Sequence, residues 1–472
     1  MVKRNDGDSR FEDYVGQLLR VLGHKDREEP LRAYLTGLCL PGQRKSIEPM
    51  AARVDPRHVR ARHQSLHHFV ANAPWDDGAV LRVARQWVLD QMERHGAVAA
   101  WIVDDTGMPK KGRHSVGVAR QYCGVLGKQD NCQVAVSVTL ANEAVSIPAS
   151  YRLYLPEIWA EDRRRRNVAG IPDDVAFQRK WEIALAQVAA LQQEGVPIAP
   201  VLADAGYGAA TEFRDGLTRL RIPYVVQVTK ETTIWAPGTE PMRPPPHTGG
   251  MGRPRTLLRR SKNRRPVSID TLSHRLPASS WKTMTWRQGS AGAMRSRFAF
   301  LRVRPAHRDE LRRSPRDVEW LIIEWPKEET APTKFWLSTM PSDTPAYQLV
   351  RIAKIRWRIE RDYQELKDEI GLDHFEGRGW RGFHHHGALC VAAYAFLAAE
   401  RARLSPPEPL AFLRAPAVPK GFKPRGSPAS TRATRSQFHR DVPSTARTRR
   451  PPAVSLLGVR ASTAGRSRFM TQ

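Results

Sequence analysis

Cysteine is scarce: Cys39, Cys123, Cys132 and Cys390 are the whole complement in 472 residues, and no two form a CxxC pair. That pattern excludes a disulfide framework and a zinc ribbon. It leaves Cys123 and Cys132 as small buried hydrophobes in or beside strands. Long apolar runs are missing too; none approaches the roughly 18 residues of a membrane span. The opening MVKRNDGDSRFEDYV is charged and lacks the apolar stretch of a secretory signal. A cytoplasmic protein with no membrane partner is expected. Acidic residues are in deficit, with 48 Asp and Glu against 76 Lys and Arg, a formal charge of +28. Such an excess attracts a polyanion, of which nucleic acid is the commonest. Arg, Ala and Pro enrichment from a GC-rich genome is the competing explanation.

What is present is an ordinary globular content, 41% hydrophobic, in a chain long enough for two or three domains. Residues 1–95 read as helical. Phe11, Tyr14, Val15, Leu18 and Leu22 recur at helical spacing after a cap at Asp8 or Ser9, and Leu31, Leu35 and Leu38 repeat the pattern. A third helix has Val80, Val83, Ala84, Trp87, Val88 and Gln91 on one face and stops at Gly96. This region is either a small DNA-binding domain or a helical layer packed on the core. From 96 to 230 short strands alternate with helices, which implies an α/β sheet. AVAAWIVDD ends in two carboxylates, Asn142-Glu143 makes a turn between strands, and VLAD ends in another carboxylate. Residues 231–340 read as a β-rich insertion with a Pro/Gly/Arg-rich loop, in which Arg253 and Arg255 can enter a minor groove. Helix resumes over 341–404. The segment 405–472 holds thirteen Lys and Arg against Glu408 and Asp441, a composition that predicts disorder. It is either a DNA clamp or a stretch read in a shifted frame.

Metal-assisted phosphodiester chemistry needs carboxylates converging on divalent cations from rigid elements. Three places supply them: Asp104 or Asp105 in WIVDDTG, Asp204 in VLADAGYG, and Glu360 in IRWRIERDYQELKDEIGLDHF. A lone carboxylate at a strand end is commonly a cap or turn residue. Two strand ends plus a helical Glu bordered by Arg and Lys are harder to assign that way. His384, His385 and His386 with Cys390 do not suit zinc, because consecutive helical residues diverge; DNA contact or plain surface is expected. Trp357 reads as core.

These segments resemble the DDE-type transposases of bacterial insertion sequences, specifically the group with a Tyr-Arg-Glu-Lys signature around its final catalytic Glu. Arg356, Glu360 and Lys367 match that signature in spacing, and Ala353 stands where its Tyr would be. Asp104-Asp105-Thr106 resembles the first acidic motif, with Asp104 as ligand and Asp105 as the alternative. LADAGYG resembles the second, and DDTGMPKKGRHSVGVARQYCGVLGK and LKDEIGLDHFEGRGWRGFHHHGAL extend the likeness over roughly residues 60–400. The resemblance implies an RNase H-like core and Mg²⁺, with Mn²⁺ as a substitute, held by Asp104, Asp204 and Glu360. It also implies strand cleavage at insertion-sequence ends followed by transfer, by an oligomer on double-stranded DNA at the bacterial nucleoid. Lys110, Lys111, Arg113, Arg356 and Lys367 are then expected on DNA phosphates. Their bland roles are a solvated basic loop and pairing along the helix with Glu360 and its acidic neighbours. Ala353 and the tail favour a catalytically inactive DNA-binding relative, and a nuclease without strand transfer is the third reading.

Overall fold

The computed structural model describes residues 6–244, 256–289 and 292–405. Arg253, Arg255 and the tail from residue 406 lie outside the described residues. The chain begins with helices α1 (Asp6–Leu22), α2 (Glu28–Cys39), α3 (Ile47–Val54), α4 (Val59–His67) and α5 (Asp77–Met92). Strands β1 (Ala100–Pro109), β2 (Ala119–Cys123), β3 (Lys128–Ala141) and β4 (Ser146–Leu153) follow. The short helices α6 (Glu157–Ala160) and α7 (Arg163–Ala169) lead into α8 (Lys180–Gln193). Next come β5 (Val201–Ala203), α9 (Ala205–Gly208), α10 (Thr211–Arg219) and β6 (Tyr224–Val228). The β-rich stretch holds β7 (Thr233–Trp235), β8 (Val267–Ser268), α11 (Ile269–His274), β9 (Lys282–Gly289), β10 (Gly292–Pro305), β11 (Glu319–Trp325) and β12 (Lys334–Ser338). Three helices close the described chain: α12 (Ala346–Lys354), α13 (Trp357–Glu365) and α14 (Trp380–Leu404).

The described strands form one sheet in the order β2-β3-β1-β5-β6-β12-β11-β10-β7-β8, with β4 also on β3 and β9 also on β10. β1 runs antiparallel to β3 and parallel to β5, which is parallel to β6. The expected insertion is continuous with this sheet, because Val225–Val228 of β6 pair with Phe335–Ser338 of β12. Covering the edge of β6 satisfies a row of backbone groups that would otherwise invite pairing with another chain. β1 departs from expectation in its length. It does not stop at the carboxylates but runs on to Pro109, because β3 is long enough to pair with it from Ala141 to Cys132. Asp104 and Asp105 are therefore mid-strand residues and point to opposite faces.

The helical layer builds its core around α14. Tyr14, Val15, Leu18 and Leu22 form the buried stripe of α1, and Phe11 meets Phe396 edge-on at 5.1 Å. Since α1 already runs from Asp6, neither Asp8 nor Ser9 caps it. The Tyr14 hydroxyl donates to the Ala392 carbonyl at 2.9 Å, and α5 packs along α14. α5 ends through one tight turn at Gly96, whose φ of +116° suits glycine.

α14 is buried on nearly every side, and the histidines go with it. His384, His385 and His386 are all buried, which overturns the expectation of surface or DNA contact. His385 faces the carbonyls of Val70 and Trp75 at 3.1 and 2.9 Å and stacks on Trp75. His386 meets the Tyr34 hydroxyl at 2.9 Å, and His384 accepts from the Leu153 amide at 3.3 Å. Burial pushes His385 and His386 down to about 4. They are polar pins of a packed interior. Among the described residues no helix is long and apolar enough to cross a membrane.

Candidate active site

Asp104 and Asp204 are set side by side by strand register. β1 and β5 pair in parallel through Ile102 and Leu202, and each aspartate lies two residues beyond that pair. Asp204 directly follows β5 and caps α9, accepting from the amides of Gly206 and Tyr207 at 2.9 and 3.3 Å. The α9 turn lies tight against β6: any side chain at Gly208 would overlap the Gln227 carbonyl oxygen. The aspartate is thus held by a rigid turn wedged on a strand.

Glu360 approaches the pair through an arginine. Arg356, at the start of α13, donates to Asp104 Oδ2 at 2.6 Å and to Glu360 Oε1 at 3.0 Å. The Glu360 side chain is 64% exposed, that of Asp104 only 19%. α13 is fixed on this face of β1 because Tyr363 donates to Ser137, the residue opposite Asp104 on β3. Asp105 points to the other face, where Lys180 and the Tyr207 hydroxyl reach its Oδ2 at 2.9 and 3.3 Å. The two residues thus face different elements: Asp104 the Glu360 helix, and Asp105 α8.

Burial pushes the Asp104 carboxyl up to about 7; the Arg356 guanidinium opposes the rise, and the Asp204 and Asp105 carboxylates add to it. Burial, then Asp105, Asp104 and Asp204, also raise the Tyr207 hydroxyl well above its ordinary value, so it stays a donor. Among the described residues no three His, Cys, Asp or Glu side chains are gathered closely enough to enclose a metal ion. Arg356 stands between two of the acids instead. The donor set nevertheless suits a hard divalent cation, being all carboxylate oxygen. Crowded carboxylates, one of them pushed up by burial, are what such a cation would offset.

The Asp104 shift carries a signed prediction. Its folded-state pKa lies above the unfolded value of about 3.9, so the fold binds the proton more tightly. Ionisation then counts against folding as pH rises from about 4 to about 7. Without divalent cations, the Tm of Asp104→Asn relative to wild type is expected to move in the variant's favour between pH 5 and pH 8. The same difference at both pH values would remove the shift from the account. Thermal scans at the two pH values measure it.

The basic residues divide. The Lys367 ammonium donates to the Gly107 carbonyl at 2.9 Å, tying the turn after α13 to β1. Lys110 reaches the carbonyls of Asp373 and Phe375 at 3.3 and 2.8 Å. Burial lowers the pKa of both amines. These two lysines, expected on DNA, are half-buried and held by carbonyls of the protein, and Lys110 also lines a cavity beyond the end of β1. The carbonyls they hold lie in β1 itself, at Gly107, and in the loop before α14, at Asp373 and Phe375. Lys111 and Arg113 are exposed, and Lys111, His114, Arg44 and Arg378 help line the same cavity, of about 670 Å³. Trp357 is half-buried, with the Arg287 guanidinium 3.9 Å from its ring centre. Glu365 is held between Arg361 and Arg401, at 2.9 Å from each. Reading the sequence missed Lys180 and Tyr207 as partners of Asp105; Tyr207 lies within the LADAGYG motif, but nothing in its neighbours marks the long-range contact.

A half-buried aspartate with a raised pKa, beside a second aspartate that follows the neighbouring parallel strand and linked through Arg356 to a helical glutamate, defines a candidate carboxylate nuclease site. Residues 17–293 match the family described as DDE superfamily endonuclease, and the chain belongs to that family. The match contains both aspartates and stops before Glu360. The chain is also similar to the probable transposase for insertion sequence element IS701 of Microchaete diplosiphon, at 34% identity over 166 residues. That alignment spans 35% of this chain and 40% of the relative.

Proposed function

We propose that this chain is a DNA transposase with an RNase H-like core, cutting DNA at insertion-sequence ends and transferring the freed 3′-hydroxyl strand to target DNA. The observation that carries the reading is the placement of Asp104 on β1 and Asp204 just past the parallel β5, with Glu360 linked to Asp104 through Arg356. The strand order β4-β3-β1-β5-β6, antiparallel on one side of β1 and parallel on the other, supports the RNase H-like assignment. Membership of an endonuclease family and likeness to a probable transposase support the reaction class.

Asp104, Asp204 and Glu360 would hold the divalent cations, Mg²⁺ with Mn²⁺ as a substitute. Bound there, the metals would activate the attacking oxygen and stabilise the leaving one. The protein's own part is placement. β1 and β5 fix two carboxylates, and Tyr363 on Ser137 fixes the helix that carries the third. Lys180 and Tyr207 keep Asp105 turned to the other face. Arg356 neutralises the acids when no metal does, and sits where a phosphate would come close to them. Lys111, Arg113 and Arg378 offer charge to the DNA backbone, which positions the duplex without reading its sequence. Transposition joins two DNA ends, so a homo-oligomer on DNA belongs to this reading.

The test uses the purified chain and a plasmid bearing the DNA that flanks its own gene, with Mg²⁺ or Mn²⁺. Cleavage at the element ends with joined products is the expected result. Cleavage without joining would make the chain a nuclease, and binding without cleavage would make it an inactive relative.

A further inference from the structure

We propose that α4 is a recognition helix, whose exposed face enters the major groove of the DNA this chain binds; the proposal rests on the transposase reading. α3 and α4 are joined by the four-residue turn Asp55–His58 and both pack on α2. A short turn between two packed helices is the arrangement that presents a second helix to a groove. Leu66 buries the inner face of α4. Arg62 pins the helix from below, pairing with Glu29 and Asp55.

The outer face is different in kind. Arg60, Ala61, Gln64 and His67 are all exposed. At 100° per residue they fall within an arc of about 120°. Arg57, in the turn, and His68 flank the same arc and are exposed too. No Asp or Glu occurs anywhere from Pro56 to Trp75, and among the described residues neither Arg57 nor Arg60 has an ion pair. Glu29 on α2 and Asp55 in the turn are engaged by Arg62 and His58.

That composition fits duplex DNA better than a protein partner. The face is cationic and nearly free of apolar side chains, so a protein would gain little from covering it. Arg reads guanine and Gln reads adenine through paired contacts in the major groove, which is wide enough for a helix. Ala61, between them, leaves room for close approach and suits a thymine methyl. Arg57, ahead of the helix, is placed for a backbone phosphate.

The test compares wild type with Arg60→Ala/Gln64→Ala on short duplexes tiled across the DNA on either side of its own gene, and on shuffled duplexes of the same composition. Fluorescence anisotropy reads the affinities. Wild type is expected to prefer one flanking duplex by at least about tenfold, and the double variant to lose most of that preference. Its affinity for shuffled DNA should change by no more than about threefold, since phosphate contacts are untouched. Because both positions are exposed, its thermal melt should match wild type, which separates misfolding from lost contacts. Preference surviving in the folded double variant overturns the proposal. So does a wild type that binds all duplexes alike, while plasmid cleavage in the same preparation would leave the transposase reading standing. Absence of both DNA binding and cleavage would remove the reading itself, and this proposal with it.

Discussion

Glu360→Ala is expected to abolish DNA cleavage while leaving a folded protein that still binds DNA. The side chain is largely exposed and makes its described contact with Arg356 alone, so its removal opens no cavity. Stability should move by no more than about 0.5 kcal/mol, the range of surface substitutions. Activity should fall at least about 10²–10³-fold, the order of loss on deleting one oriented electrostatic group from a reaction site. Duplex affinity should hold or rise slightly, since a negative charge has been taken from a basic surface. The assay is plasmid nicking with Mg²⁺ or Mn²⁺ beside a binding titration at the same salt. Retained cleavage would transfer the role to another acid on α13. Glu365 is then the candidate to test, although its two arginine partners occupy it.

Raising salt should release the protein from duplex DNA steeply. With 76 Lys and Arg against 48 acids, binding displaces counterions condensed on the phosphates. For six to ten phosphate contacts the affinity falls about 10³–10⁵-fold between 50 and 200 mM salt. The slope of log affinity against log salt counts the contacts, so Lys111→Ala and Arg113→Ala should each shallow it by about one. Lys110→Ala and Lys367→Ala should instead lower stability, because their ammonium groups hold carbonyl oxygens of the protein. A flat salt response in wild type would exclude electrostatic DNA binding altogether.

The sequence made some of this legible and concealed the rest, for reasons that differ by residue. Periodicity placed the stripe of α1 and the strand before Asp204, because apolar spacing is set by the element itself. It stopped β1 too early, since DDTGMP looks like a turn and only the length of β3 keeps it extended. Spacing suggested all three acids but not the choice between Asp104 and Asp105, which depends on which face of β1 meets α13. The histidines were misread for the opposite reason. Their polarity suggests a surface, yet carbonyls left open at Val70, Trp75 and Gly371 supply partners for them in the interior. The same kind of contact turns Lys110 and Lys367 inward. Long-range polar pairing leaves no local trace in a chain.

The central position of α14 also sets a clock on synthesis. Tyr14 and its partner carbonyl at Ala392 are 378 residues apart. At about 5–20 residues per second, roughly 20–75 s pass between the emergence of one and of the other. Throughout that interval α1, α2 and α5 expose the apolar stripes that α14 will cover. Nascent chains are then substrates for chaperones, and any chain broken off before residue 380 has no way to complete its helical layer. Prematurely ended copies should therefore be cleared rather than accumulate beside full-length protein on DNA.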